Sequence, residues 1–547
     1  MASFWHNKPE MTGCNDQKNA LKNILSKGVS YAATKTKIEE ADLLNRQNQI
    51  EKAYRIYKGI LGENPRHTDA LFGIGVILEK QQKFDLAIQF LSKSIESKPD
   101  KIEALLTRGR IFRLQGMYEN AIFDFTEIIS NHPDSFEALI ARGITFGQAR
   151  QFSAAIDDFS IAIGINPNGA EAFYNRGVVY EKLHQFKSAI DDYSIAIKLN
   201  PYDYKAYNNR GVARRETKYF DAAIRDFDKS IKINPDFAEG YYNKSLTLLS
   251  IGKLKEGFRL YEYRWKTVHF QSQLRHSSQT LWLGNANLTG KTILLHSEQG
   301  LGDSIQFCRY IKFFKNMKCR VVLEIEKPLM SLMQSLLPKE CIFEKGTCLP
   351  TFDYHCPLMS LPHVFGTTIN NIPIKGPYLT PHQTRVKHWQ NILRKKNKPL
   401  VGLAWRGNPD HVNDQRRSTT LDGILRFLSD DCDWVSLEKF PTNEELGLLR
   451  KTNHIRQFGA EIGDFAETAA LCSVLDAVIS VDTSAAHLAA SVGIQTHLLI
   501  RDCADWRWFQ NQKNTQWYNS ITLHRKTKNI CWGEVIEAVA QGIALEK

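Results

Sequence analysis

A beat of 34 residues runs through the first half of the chain. Pro65, Pro99, Pro133, Pro167, Pro201 and Pro235 stand 34 apart, Gly75, Gly109, Gly143, Gly177 and Gly211 keep the same interval, and so do Ala53, Ala87, Ala121, Ala155, Ala189 and Ala223. Three locked series of one period exclude an irregular single core for this stretch and require one supersecondary unit copied many times. Within residues 169–200, apolar positions at helical spacing fall in two stretches, 173–183 and 187–199, parted by His184 and Gln185 and closed by Asn200 and Pro201. That pattern predicts a helical hairpin. Gly177 and Ala189 let the two backbones approach, Tyr180 and Tyr193 fill the wider gaps, and each proline ends a second helix because it can neither donate nor tolerate a helical predecessor.

These hairpins resemble the tetratricopeptide repeat over residues 34–267, as about seven units with degenerate ends. The resemblance implies an α-solenoid whose first helices line a concave groove. In that frame Asn175, Asn209 and Asn243 recur at one position, either as acceptor-binding amides for an extended peptide or as polar residues tolerated on an exposed face. Arg108, Arg142, Arg176 and Arg210 form a second ladder one position later, packing between helices or gripping a ligand.

The remaining chain is long enough for further domains, since 547 residues exceed what one core supports. With 43% hydrophobic and 24% charged residues it is globular and not disordered. No apolar run is long enough to span a bilayer and the first 30 residues lack a signal-peptide core, so the expectation is a cytoplasmic protein without stable membrane insertion. Ten cysteines without a CxxC pair predict reduced thiols and no metal site, and a net charge of +12 spread over both halves of the chain gives no basic stripe for nucleic acid. The expected division is an N-terminal extension at 1–33, the repeats at 34–267, a polar linker at 268–286, and two Rossmann-like α/β halves at 287–390 and 391–547, the second with a closing helix.

Strand and helix signals alternate in those halves. KTILLHS at 291–297 runs into EQGLGDS at 298–304 and a helix, with a strand at 320–325 following; PLVGLAW opens the second series at 399–405, with strands at 434–437, 477–481 and 496–500 and helices at 465–475 and 484–491. Such alternation predicts doubly wound parallel sheets with ligands at the carboxyl ends of the strands. Gly300 and Gly302 allow a backbone to approach an anion, while Asp303 either caps the helix or accepts a proton from an attacking hydroxyl. Asp482, Thr483 and Ser484 repeat the arrangement: Thr483 and Ser484 suit a pyrophosphate, Asp482 fixes the turn or a sugar hydroxyl, and His487 one turn on is a ligand contact or a satisfied core residue. Among 406–418, Arg406, Arg416 and Arg417 can neutralise a departing phosphate, and Asn408 and His411 join the donor-binding set. Trp506 and Trp508 either stack on a nucleobase or belong to the core.

The segments LLHSEQGLGDSIQFCRY, FDYHCPLMSLP, GLAWRGNPDHVNDQRRS, DFAETAALCSVLDAVISVDTSAAHLAASVG and DWRWF, after the junction YEYRW, resemble bacterial tetratricopeptide-repeat glycosyltransferases related to the family 9, or heptosyltransferase, group. The resemblance implies a GT-B fold, a nucleotide-sugar donor as substrate, no cofactor, and metal-independent inverting transfer with Asp303 as base and Asp482, Thr483 and Ser484 at the donor pyrophosphate. Heptosyltransferases carry a lysine after the first strand of the second half, where this chain has Arg406, Arg416 and Arg417. Likeness to the protein O-linked N-acetylglucosamine transferases favours a protein or peptide acceptor held by the repeat groove. The alternatives are a cell-envelope or lipopolysaccharide sugar transferase and a catalytically inactive scaffold.

Overall fold

The computed structural model describes residues 32–268, 270, 275, 276, 278–393, 398–407, 414–452, 455–510, 512–526 and 531–545, the side chains of Gln415 and Arg416 excepted. The chain divides into two compact units, Met1–Tyr202 and Asp203–Lys547.

The first unit is an α-solenoid of helical hairpins. Helix 32–46 is followed by Ile50–Glu63, Thr68–Lys80, Phe84–Ser97, Ile102–Leu114, Tyr118–Asn131, Phe136–Gln148, Phe152–Ile165, Ala170–Lys182 and Phe186–Leu199. Each second helix ends two residues before a proline of the series, and the residue between, Asn64, Lys98, Asn166 or Asn200, leaves helical geometry. The glycine series lies where the paired helices touch. A Cβ on Gly143 would stand 2.7 Å from the Phe159 ring, and one on Gly177 2.8 Å from the Tyr193 ring. An aromatic ring from the second helix therefore occupies the volume that a side chain on the first would need.

The second unit opens with four more helices of the same kind, Tyr204–Glu216, Phe220–Ile233, Ala238–Ser250 and Leu254–Tyr261, the last running into a 3-10 turn at Glu262–Lys266. The last of these is part of the α/β core. Buried Phe258 meets Phe307, Trp506 and Trp517 edge-on, with centroids 6.4, 5.5 and 6.2 Å apart. An apolar ring of that size stabilises by roughly 1.5–3 kcal/mol when buried, which ties the final repeat helix to the α/β region.

Two parallel sheets carry the rest. The first comprises β1 (Thr280–Leu281), β2 (Thr292–His296), β3 (Arg320–Ile325), β4 (Ile342–Glu344) and β5 (Tyr354–Pro357) in the order β1-β5-β2-β3-β4. β1 falls within the stretch read as linker; it joins the sheet edge through Thr280 opposite Tyr354, and Trp282 beside it is buried. The second sheet comprises β6 (Leu400–Ala404), β7 (Asp433–Ser436), β8 (Ile455–Arg456), β9 (Ala477–Val481), β10 (Thr496–Ile500) and β11 (Ile521–Arg525) in the order β11-β10-β9-β6-β7-β8. β6 and β9 are buried at every residue, as strands covered by helices on both faces must be. The order reverses between β2 and β5 in the first sheet and between β6 and β9 in the second. At such a switch point the loops leave in opposite directions and open a crevice at the carboxyl ends of the strands.

Candidate functional site

The loop that leaves β2 at its switch point is 298–303. Glu298 is buried and held by Arg264, whose Nη2 donates to both carboxylate oxygens at 2.9 Å. Arg264 also reaches Glu262 at 2.8 Å and the Ser360 hydroxyl at 2.8 Å, and Ser360 in turn donates to Glu262 at 3.0 Å. Burial pushes the Glu298 carboxyl up to about 7, against the lowering effect of the guanidinium. The helix Leu301–Phe307 starts after Gly300, whose N–H donates to Asp303 Oδ2 at 3.0 Å. Asp303 thus does the work of a cap, and its other oxygen accepts from Arg507.

The turn that leaves β9 at the second switch point is 482–484. Thr483 caps the helix Ser484–Ser491, its hydroxyl accepting from Ala485 N at 3.2 Å. Asp482 lies within electrostatic reach of Asp505, Arg507 and Arg417; burial first, and the Asp505 charge second, raise its carboxyl above the usual range. The loops of the two halves touch. A Cβ on Gly302 would lie 3.0 Å from His487 Cδ2 and 3.5 Å from Ser484 Cα, so only glycine permits this approach of the two helices without displacement.

His487 does not face the crevice as a ligand contact would. It is buried, its Nδ1 is 2.9 Å from the Tyr518 hydroxyl, it stacks on Trp508 at 5.2 Å, and burial with the charges of Arg507 and Arg309 holds the ring neutral. Behind Gly302, its role is to space the two helices. Trp506 and Trp508 are likewise core, at 4% and 0% exposure, and offer no face to a base.

The segment after β6 separates its arginines. Arg406 turns away to Glu445 at 3.2 Å and the Phe440 carbonyl at 2.6 Å, because two carboxylates, Glu438 and Glu445, stand on that side. Arg417 folds back over Gly407, bonds Asp414 at 3.0 Å and contributes its charge at Asp482. Asn408, His411 and the Arg416 side chain lie outside the described residues.

Arg507 is the residue that sequence reasoning passed over. Its Nη1 donates to Asp505 at 2.8 Å, its Nε to Gln306 Oε1 at 2.8 Å and its Nη2 to Asp303, and its guanidinium lies 4.3 Å from the Trp506 ring centre. It connects the DWRWF segment to the glycine loop. The signal was an arginine between two tryptophans and after an aspartate, a pattern that desolvates a cation and supplies its anion.

Of the repeat asparagines, Asn175 donates to the Glu171 carbonyl at 2.9 Å in the first unit; in the second, Asn243 Nδ2 donates to Asn208 at 3.0 Å and Asn209 accepts from Asn208 at 3.1 Å. All three remain half-buried. The arginine ladder is structural. Arg108 forks onto Asp124 at 2.9 and 2.7 Å, Arg142 onto Asp158 at 2.8 Å twice, Arg176 onto Asp192 at 2.8 and 2.9 Å, and Arg210 onto Asp226 at 3.0 and 2.8 Å. Among the described residues no helix is long and apolar enough to cross a membrane, and no group of three or more His, Cys, Asp or Glu is set to hold a metal ion.

Residues 44–109, 103–135, 170–203 and 204–237 match the tetratricopeptide repeat. The first half of the chain therefore consists of such repeats. Protein FlbA of Caulobacter vibrioides is 23% identical over 338 residues, 55% of this chain and 54% of FlbA, so the chain spans about half the length of that curated relative. Among solved structures, the MamA protein is 27% identical over 31% of this chain and 94% of its own, with a TM-score of 0.29. YrrB, described as a TPR protein with an unusual peptide-binding site, is 19% identical over 35% and 98%, with a TM-score of 0.30. A tetratricopeptide repeat protein of Parabacteroides merdae is 18% identical over 42% and 91%, with a TM-score of 0.37.

Proposed function

We propose that the chain is a glycosyltransferase of GT-B type, moving a sugar from a nucleotide-sugar donor to a protein or peptide acceptor recruited by the repeats. The observation that carries this reading is the contact of two switch-point loops through Gly302, Ser484 and His487, one bearing Asp303 and the other the Asp482–Thr483–Ser484 turn. A base for an acceptor hydroxyl and a helix start suited to a diphosphate then flank one crevice. Transfer forms a bond from the acceptor oxygen to the anomeric carbon and breaks the bond from that carbon to the diphosphate, with inversion; Asp303 takes the proton. Arg417, which bears on Asp482, fits the leaving group better than Arg406, which is engaged by Glu438 and Glu445. The half-buried amides of Asn209 and Asn243 within the second unit, and that of Asn175 within the first, each suit a peptide backbone group.

The test is release of nucleoside diphosphate from UDP-glucose, UDP-N-acetylglucosamine, GDP-mannose and ADP-heptose by the full chain. At least one donor is expected to turn over, Asp303→Asn to lower the rate by roughly 10²- to 10⁴-fold with donor affinity kept, and Thr483→Glu to abolish binding by setting like charges together. Failure of every donor to turn over or to raise the melting temperature overturns the reading in favour of a scaffold.

A further inference from the structure

Arg507 serves two carboxylates at once. Its Nε is fixed by Gln306 and its plane by Trp506, which leaves the two Nη groups to choose among carboxylates, and they choose Asp303 and Asp505. Both members of the Arg507–Asp303 pair are largely shielded, with 10% and 19% side-chain exposure, so the pair is stronger than one in water. Gly302, the residue before Asp303, lies against Ser484, and Asp482 feels the Arg507 charge. A diphosphate held at the Thr483–Ser484 turn, next to Asp482 on which Arg507 bears, would compete with Asp303 for that guanidinium, bringing the higher charge and the matching fork geometry.

We propose that Arg507 couples donor binding to base function: the diphosphate draws its Nη groups from Asp303, and the carboxylate so released takes the acceptor proton. The inference rests on the glycosyltransferase reading. Arg507 transfers no proton; it remains a guanidinium while the electron pair of the broken carbon–oxygen bond departs on the diphosphate it holds. Asp303 is then a weak base before the donor enters and a stronger one after, which restrains proton abstraction from an acceptor that arrives alone. The other charged or titratable groups around the pair include Asp505 on the same loop, Tyr261 from the repeat junction, Asp482 and Arg417 from the second half, Glu298 with Arg264 beneath the glycine loop, and the neutral ring of His487.

The experiment uses the full chain, its Arg507→Gln and Arg507→Lys variants, and the same four nucleotide sugars, with kcat and kcat/KM followed from pH 4 to 9. The kcat/KM profile reports the free enzyme, where Arg507 is paired with Asp303, and the kcat profile reports the donor complex, where the diphosphate occupies it. Removing the cation should move the acid limb of kcat/KM up by about 1 pH unit, leave the acid limb of kcat in place, and weaken nucleoside diphosphate binding roughly 10-fold or more. Arg507→Lys keeps the charge without the fork and should fall between. If the two limbs move together, or neither moves, the coupling is refuted while the transferase reading stands; if the parent chain turns over no donor, that reading falls and the inference with it. Should Arg507→Gln fail to fold, Arg507→Lys decides by the same two limbs.

Discussion

Arg264 Nη2 stands 2.9 Å from both carboxylate oxygens of Glu298, and Arg264 Nε stands 3.2 Å from one of them. Both side chains are buried, Arg264 completely. One comes from the turn that ends the repeat helices and the other begins the glycine loop, so the YEYRW junction is bonded to the first residue of the site. Removing Arg264 strands the buried Glu298, whereas removing Glu298 leaves Arg264 on Glu262. Arg264→Met should cost about 3–5 kcal/mol in denaturant unfolding and Glu298→Leu less, and the double variant should recover part of the Arg264→Met loss. An Arg264→Met cost below about 1 kcal/mol in that cycle would show that the pair does not tie the junction to the loop.

Inside the first unit, Arg142 repeats this logic once per hairpin. Its fork onto Asp158 is completed by Nη1 donating to Thr126 Oγ1 at 3.0 Å, so it joins its own hairpin to the preceding one. Asp158 is 3% exposed and would be left without its cation in Arg142→Ala. Loss of about 2–4 kcal/mol is expected, with peptide binding unaffected if the asparagines alone contact the acceptor. Circular dichroism melts report the first quantity and peptide titration the second. Weakened peptide binding in a fully folded Arg142→Ala would return the arginines to the groove.

Much of this was legible because it repeats or alternates. The 34-residue prolines located the hairpins, and the strands at 320–325, 477–481 and 496–500 and the helix at 484–491 coincide with their apolar runs. Short or edge elements were not: β1, β4, β5 and β8 have two to four residues and carry too few side chains for a period. The Asp124, Asp158, Asp192 and Asp226 series stood in the sequence at the same interval as the arginines, but a 16-residue separation pairs them only once the hairpin is closed. Asp303 and Asp482 were recognisable from their turns. Their shared neighbour Arg507 was not, since 204 residues separate it from Asp303 and only the contact of the two halves joins them.

Acid should loosen the second unit through histidines that the fold keeps neutral. His296 and His355 lie 3.2 Å apart on adjacent strands with His276 alongside, and His497 and His524 lie 3.1 Å apart on β10 and β11. Burial lowers His355 and His497 to about 4, with the neighbouring imidazoles as the second cause, and holds His296 well below its ordinary value. In the unfolded chain each titrates near 6.5, so between about 6.5 and 4 the unfolded state binds more protons than the folded one. A depressed folded pKa gives stability that is fully present above the unfolded value and is lost as pH falls through the folded one. Against the opposing gain from Glu298 and Asp482, whose raised carboxyls take up protons in the fold, these histidines should contribute a fall of several degrees in the melting temperature of the α/β transition between about pH 6.5 and 4. Replacing His355 and His497 together with Gln removes two of these protonations and should flatten that drop, at some cost to the melting temperature at pH 8. Differential scanning calorimetry across the range measures both, and an acid drop as steep in the double variant as in the parent would place the sensitivity elsewhere.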